Sequence, residues 1–167
     1  TPLAPDHALP RQLGRERRLS QALTPPPPHY EPLLIDTPPS LGIVSVNALV
    51  ASDGLVVPVQ TEYFALEGLA LLSGTVREVR ALLNPSLGVD GVLMTMHAPT
   101  TLNQQVASEL REAFPQLMVE PAIRRNIRLA EAPSHGVPIH LHEPNSAGGQ
   151  DYRDVVSVLE RRWGLRE

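Results

Sequence analysis

At 167 residues the chain is long enough for one domain that buries a core without staples, and its 42% hydrophobic and 19% charged residues suit a globular fold. All 14 basic residues are arginines, which excludes Schiff-base chemistry, a lysine general base and a phosphate-gripping lysine; the absence of cysteine excludes disulfides, thiolate nucleophiles and cysteine-held metals. A formal net charge of -4 argues against a globally basic nucleic-acid binder but leaves room for a local basic patch.

In chain order, residues 1–10 hold three prolines and no periodic pattern, an irregular lead-in. Threonine at position 1 leads us to expect that the native start lies elsewhere. Residues 1–20 contain no signal-peptide block, and the longest apolar stretch, 41–51, falls far short of the roughly 20 residues that span a bilayer. A cytoplasmic protein is therefore expected. Leu13, Leu19, Ala22 and Leu23 predict a short helix over 11–23, ended by prolines 25–28, which neither a helix nor a central strand can contain and which read as a stiff connector. Residues 1–28 are thus expected to be lead-in, helix and connector, and 29–167 the main domain.

Short apolar runs then alternate with amphipathic ones. Leu33-Leu34-Ile35 predicts a buried strand ending at Asp36, followed by a helix over 41–51, a strand over 55–59 and a long helix over 65–83 with apolar positions at Leu66, Leu69, Leu72, Val76, Val79 and Leu83. A strand over 91–96, a helix over 102–114, a short strand at Met118-Val119, a candidate strand over 137–141 and a helix over 151–163 complete the pattern. Strands apolar on both faces and separated by helices predict an α/β fold with a mostly parallel sheet.

Ligands of such sheets gather at the carboxyl ends of the strands. Asp36 stands where an apolar strand breaks into Thr37-Pro38-Pro39-Ser40-Leu41-Gly42. A carboxylate so placed can hold a magnesium ion beside a nucleotide phosphate; it can equally cap the following turn.

Longer strings favour the first of these readings. YEPLLIDTPPSLGIVSVNAL at 30–49, LVVPVQTEYFALEGL at 55–69, NPSLGVDGVLMTM at 84–96 and RNIRLAEAPSHGVPI at 125–139 resemble the ParA/Soj family of chromosome- and plasmid-partitioning ATPases, related to MinD. GRERRLSQAL at 14–23 is similar to the family segment just before its second acidic motif. The resemblance implies a deviant-Walker P-loop fold, a sandwich homodimer formed with ATP and Mg2+, nonspecific DNA binding at the nucleoid, and a ParB-type centromere-binding partner that stimulates hydrolysis. By position, Asp36 would be the Walker B aspartate and Thr37, Pro38 and Pro39 the start of the switch after it. The loop around Arg125 and Asn126 would lie near the adenine, and Arg128, with Arg124, would belong to the DNA-binding surface. Arginine contacts to phosphate suit binding that ignores base sequence.

The chain also departs from the family. The KGGVGKTT-like loop and the DxDPQ switch are missing, and without lysine no stretch can serve as that loop. ATP hydrolysis by this chain alone is therefore not expected. The family's DARTNL segment reads His97-Ala98-Pro99-Thr100-Thr101-Leu102 and has lost its arginine, while IPRN reads Ile123-Arg124-Arg125-Asn126 and has gained one. A plain alternative pairs Arg124, Arg125 and Arg128 with Glu120 or Glu131 on a solvated face.

Other candidates weigh less. His140, His142 and Glu143, with His135, form a conceivable metal site if the run is a strand, but plain surface histidines are the favoured reading, with no metal beyond magnesium at Asp36. Ser134 and His135 are adjacent and lack an orienting acid. Glu62 and Glu67 read as capping or solvated groups. Tyr152, Val155, Val156, Leu159 and Trp163 form a stripe expected to dock on the core rather than on a membrane. Two functions follow: a ParA-type partitioning protein without its phosphate loop, or a naturally short, non-enzymatic relative that binds DNA or a full-length ParA partner. Loss of a first strand leads us to expect self-association.

Overall fold

Val56–Gln60 (β1), Gly91–Thr95 (β2) and Met118–Val119 (β3) pair in the order β1-β2-β3, all parallel. Val56 lies opposite Gly91 and Gln60 opposite Thr95, while Val92 and Leu93 face Met118 and Val119. The computed structural model describes residues 13–25 and 32–165. The expected lead-in at 1–10 and most of the proline connector lie outside the described residues.

Central position explains the sequence of β2: Gly91, Val92, Leu93 and Met94 are all buried, as a strand covered on both faces requires. A Cβ on Gly91 would come within 2.3 Å of Val119 Cγ2, so glycine is what lets the neighbouring strand close up. In β1, Val57 and Val59 are buried while Pro58 and Gln60 are exposed, and a proline fits there because, among the described residues, β1 pairs on one side only. Helices α3 (Ala65–Leu82) and α4 (Thr101–Ala113) separate the parallel strands, as crossovers demand.

Two compact units divide the chain: residues up to Leu55 with Gly68–Gly88, and Val56–Glu67 with Val89–Glu167. In the first, a single 3-10 turn (Arg15–Arg17) precedes α1 (Arg18–Ala22), and α2 spans Ile43–Ala51. Buried Asn47 joins them: its Nδ2 donates to the carbonyl of Arg15 (2.9 Å), and its Oδ1 accepts from the N–H of Leu19 (3.2 Å). Buried Asn84 donates to the carbonyls of Leu49 (3.0 Å) and Ser52 (2.8 Å), satisfying acceptors that the end of α2 leaves open.

The second unit holds the sheet, α4, α5 (Ile127–Glu131), a 3-10 turn (Ala132–His135), α6 (Ile139–His142) and α7 (Ala147–Arg162). Its centre is Leu93, Val119, Ile123 and Val155, flanked by Val56, Leu129, Val158 and Leu159. The α7 stripe therefore docks on the sheet through Val155 and Leu159, and the Trp163 indole N–H donates to Asp90 Oδ2 at 2.9 Å. Val156 faces outward. No helix among the described residues is long and apolar enough to cross a membrane.

Four sequence expectations are corrected. Residues 33–35 make no strand pairing among the described residues, and Leu33 and Leu34 are exposed, because an apolar run becomes a strand only beside a neighbour. The alternating run at 137–141 instead forms the one-turn α6; short runs do not fix their own period. Of the helix expected over 11–23, residues 11–12 lie outside the described residues, and the rest shortens to a 3-10 turn and α1 after Gly14, which takes a left-handed φ of 75°. Finally, α7 begins at Ala147 rather than 151, because the Ser146 hydroxyl caps it by accepting from the Gly149 N–H (3.1 Å).

Candidate functional site

In the first unit, Asp36 and Thr37 are exposed, and among the described residues the Asp36 carboxylate has no hydrogen-bond or ion-pair partner. The turn after it is held from α2: the Ser45 hydroxyl, itself buried, donates to the carbonyl of Ser40 (2.5 Å) and reaches that of Pro38 (3.4 Å). Pro38 is half-buried and Pro39 exposed. The carboxylate is thus presented at the surface on a stiff turn.

Within the second unit, a cavity of about 630 Å³ opens beyond the end of β2, lined by residues that include Met96, Arg125, Asn126, Leu129 and Tyr152. Its size falls in the range that takes a small molecule. Met96 has φ 50°, a left-handed conformation that costs a non-glycine residue energy and often marks a functional turn. The strand direction continues past it: the His97 N–H donates to Ile123 O (3.0 Å) and the Arg125 N–H to His97 O (2.9 Å). Asn126 caps α5, its Oδ1 accepting from the Arg128 N–H at 2.8 Å.

Of the three arginines grouped from sequence, two are paired: Arg128 with Glu131, as the solvated-face alternative has it, and Arg124 with a residue that alternative did not name. Arg124 pairs with Asp151, not Glu120, which instead takes Arg111 (2.8 Å). Nε of Arg124 lies 3.1 and 2.9 Å from Asp151 Oδ1 and Oδ2, Nη2 lies 2.7 Å from Oδ1, and the main-chain N–H donates to Oδ2 at 2.9 Å. Burial alone pushes the Asp151 carboxyl up, but the hydrogen bonds and charge of Arg124 outweigh it and hold the carboxyl below its usual value. Asp151 in turn raises the Arg124 guanidinium, first by hydrogen bonding and then by charge. Arg128 pairs with Glu131 (2.8 Å), and its guanidinium is raised by that bond, by the Glu131 charge and by Glu143. Exposed Arg125 has no ion-pair partner among the described residues.

Sequence reasoning missed Asp151 and Asn103. The first was detectable: Asp151 precedes Val155 by one helical turn, so a carboxylate occupies the inward stripe of α7 and must have a partner. Asn103 gave no such signal. Its Nδ2 donates to Thr61 O (2.8 Å) and its Oδ1 accepts from Ala98 N (2.8 Å), while Thr61 Oγ1 lies 3.3 Å from His97 Nδ1. These bonds tie the ends of β1 and β2 to the start of α4. His140 and His142 lie on the one-turn α6 rather than sharing a strand face, His142 stacks on His135 at 4.6 Å, and the described residues contain no cluster of three metal-ligating side chains. Glu62 and Glu67 are exposed.

A family model described as an AAA domain matches residues 3–89. The sporulation initiation inhibitor protein Soj of Bacillus subtilis is 49% identical over 148 residues, which cover 88% of this chain and 58% of that protein. The chromosome-partitioning ATPase Soj of Thermus thermophilus is 51% identical over 134 residues (80% and 54%), and the chromosome partitioning protein ParA of Myxococcus xanthus 43% over 155 residues (92% and 55%). The chain belongs to the ParA/Soj family. It spans 54–58% of the length of these three relatives. Among solved structures, cobyrinic acid a,c-diamide synthase of Mycobacterium smegmatis with bound ADP and magnesium is 27% identical with a TM-score of 0.74, over 96% of this chain and 59% of that one. A complex of Cyanothece McdA with ATP, 18% identical with a TM-score of 0.77 over 92% and 59%, shows the same fold.

Set against ParA/Soj nucleotide chemistry, the residues present fit unevenly. A cavity of about 630 Å³, with Arg125 and Asn126 in its lining, exists in the second unit. For the phosphates there is no lysine in all 167 residues, and Asp36 alone is a sparse donor set for magnesium, which takes several further oxygens from water and phosphate. The triphosphate does not fit what this chain offers.

Proposed function

We propose that the chain supplies the Walker B carboxylate, the base side and part of the DNA-facing surface of a ParA-type partitioning switch, with 29–167 as the C-terminal part of that domain, and that these residues alone do not hydrolyse ATP. One observation carries the reading: a member of an ATPase family has no lysine with which to grip a phosphate. Asp36, with Thr37, Pro38 and Pro39, takes the switch role, and the cavity beside Arg125 and Asn126 takes adenine. The partners of this reading are a ParB-type centromere-binding protein, a second ParA copy and DNA, in the cytoplasm at the nucleoid.

DNA binding falls chiefly to Arg125 and Arg128. Arg125 is uncompensated, and the exposed Arg128–Glu131 pair is weak enough for a phosphate to displace. Arg124, committed to Asp151, contributes less. Phosphate release from ATP, measured with the chain and with Asp36→Asn, tests the reading: equal background rates are expected, and turnover that Asp36→Asn abolishes would overturn it. Salt-dependent retention on DNA without nucleotide, lost in Arg125→Ala/Arg128→Ala, would favour the short DNA-binding relative.

A further inference from the structure

Parallel pairing spends alternate peptide groups. Between the continuation of β2 and the segment after β3, Ile123 N–H donates to Met94 O (2.8 Å), Ile123 O accepts from His97, and Arg125 N–H donates to His97 O. That pattern passes over the N–H of Arg124, which is directed away from the ladder and needs an acceptor elsewhere. Asp151 supplies it, and the same carboxylate grips the guanidinium, so one buried group fixes both the backbone and the side chain of one residue. Glycines bring it there: a Cβ on Gly148 would lie 2.6 Å from Leu129 Cγ, so the first turn of α7 can approach α5 closely, and one on Gly149 would lie 2.7 Å from Glu143 O in the loop that leads into α7.

Position turns this clamp into more than a stability device. Arg125 and Asn126, which follow the clamped Arg124, line the cavity, and so does Tyr152, which follows Asp151. We propose that Asp151 is a positioning residue for the cavity: by holding Arg124 twice over, it sets the wall formed by Arg125 and Asn126 against the wall formed by Tyr152. Where the family's IPRN pattern has proline, no N–H needs an acceptor and φ is fixed by the ring. Arginine at position 124 needs Asp151 for both purposes, so the two residues form one unit of substitution.

This inference rests on the cavity being the base end of a nucleotide site, and the test separates the two. In 15N-labelled chain, amide exchange at Arg125 and Asn126 is measured without ligand, with the β2 amides of Val92 to Met94 as an internal reference, and adenosine binding is followed by chemical shift. Asp151→Asn is expected to speed exchange at Arg125 and Asn126 about tenfold over the reference and to weaken adenosine about tenfold. Arg124→Pro/Asp151→Ala is expected to restore both to within about twofold of wild type. Unchanged exchange in Asp151→Asn, or exchange that rises equally in β2, would overturn the positioning role. Local loosening without adenosine binding to the wild type would sustain the role and sink the base-end reading. Should Asp151→Asn not fold, Arg124→Lys, which keeps the N–H bond and the charge but loses the fork, is expected to loosen Arg125 and Asn126 alone; uniform loosening overturns the proposal.

Discussion

The segment around Asp36 and the segment around Arg124 both present charged groups beyond apolar residues, and they are built on opposite terms. Asp36 follows apolar residues that stay exposed, on a turn held from α2 by the Ser45 hydroxyl. Arg124 follows fully buried Ile123, continues a parallel ladder and is gripped by a buried carboxylate. A turn can therefore be locally stiff without being integrated into a sheet, and integration comes from backbone pairing and core burial rather than from proline content.

Core truncation breaks the contrast most strongly. Ile123→Ala is expected to cost about 2–5 kcal/mol in urea unfolding, whereas Leu34→Ala, at a residue 78% exposed, is expected to stay within about 0.5 kcal/mol. Comparable losses at the two sites would mean that the Asp36 segment is packed after all. Next in size is Asn47→Ala, which strips three hydrogen bonds from a buried staple; a loss of about 1–3 kcal/mol is expected, and the same assay reads it.

Acid provides a third probe. Because the Asp151 carboxyl is lowered on folding, its contribution is fully present above the unfolded value of about 4 and is lost as pH falls through the folded one. Melting temperature in wild type should fall more steeply below about pH 4 than in Asp151→Asn, and parallel curves would remove the clamp from the pH response. Leu33→Ser/Leu34→Ser is expected to reduce self-association in sedimentation without shifting the melting temperature, since both side chains already face water. The smallest effect is expected at Arg128→Ala, whose exposed pair with Glu131 should leave the melting temperature unchanged.

These contrasts also explain what was legible in the sequence. β2 and its neighbours could be read because continuous burial demands continuous apolar residues, and α3 and α4 because their apolar positions repeat at helical spacing. Residues 33–35 carry the same apolar signal, but strand pairing is a property of two segments, so one segment cannot declare it. At 139–142 the histidines alternate as they would in a strand, yet Pro138 stands extended at the N-cap and a single helical turn follows. The Arg124–Asp151 clamp spans 27 positions, a separation that only the docking of α7 closes. Its arginine half drew notice as a departure from a pattern, while its acid half was hidden inside an amphipathic helix.

Arg162, near the end of α7, donates from Nη1 to the carbonyls of Asp90 (2.6 Å) and Leu117 (3.2 Å) and from Nη2 to that of Met118. Those oxygens sit at the entry of β2 and β3, so one guanidinium joins the starts of two neighbouring strands to the last helix. Chain termination a few residues earlier would therefore do more than shorten a helix: it would remove the cation that ties these three carbonyls together, leaving Leu117 O its ladder bond from the Val92 N–H.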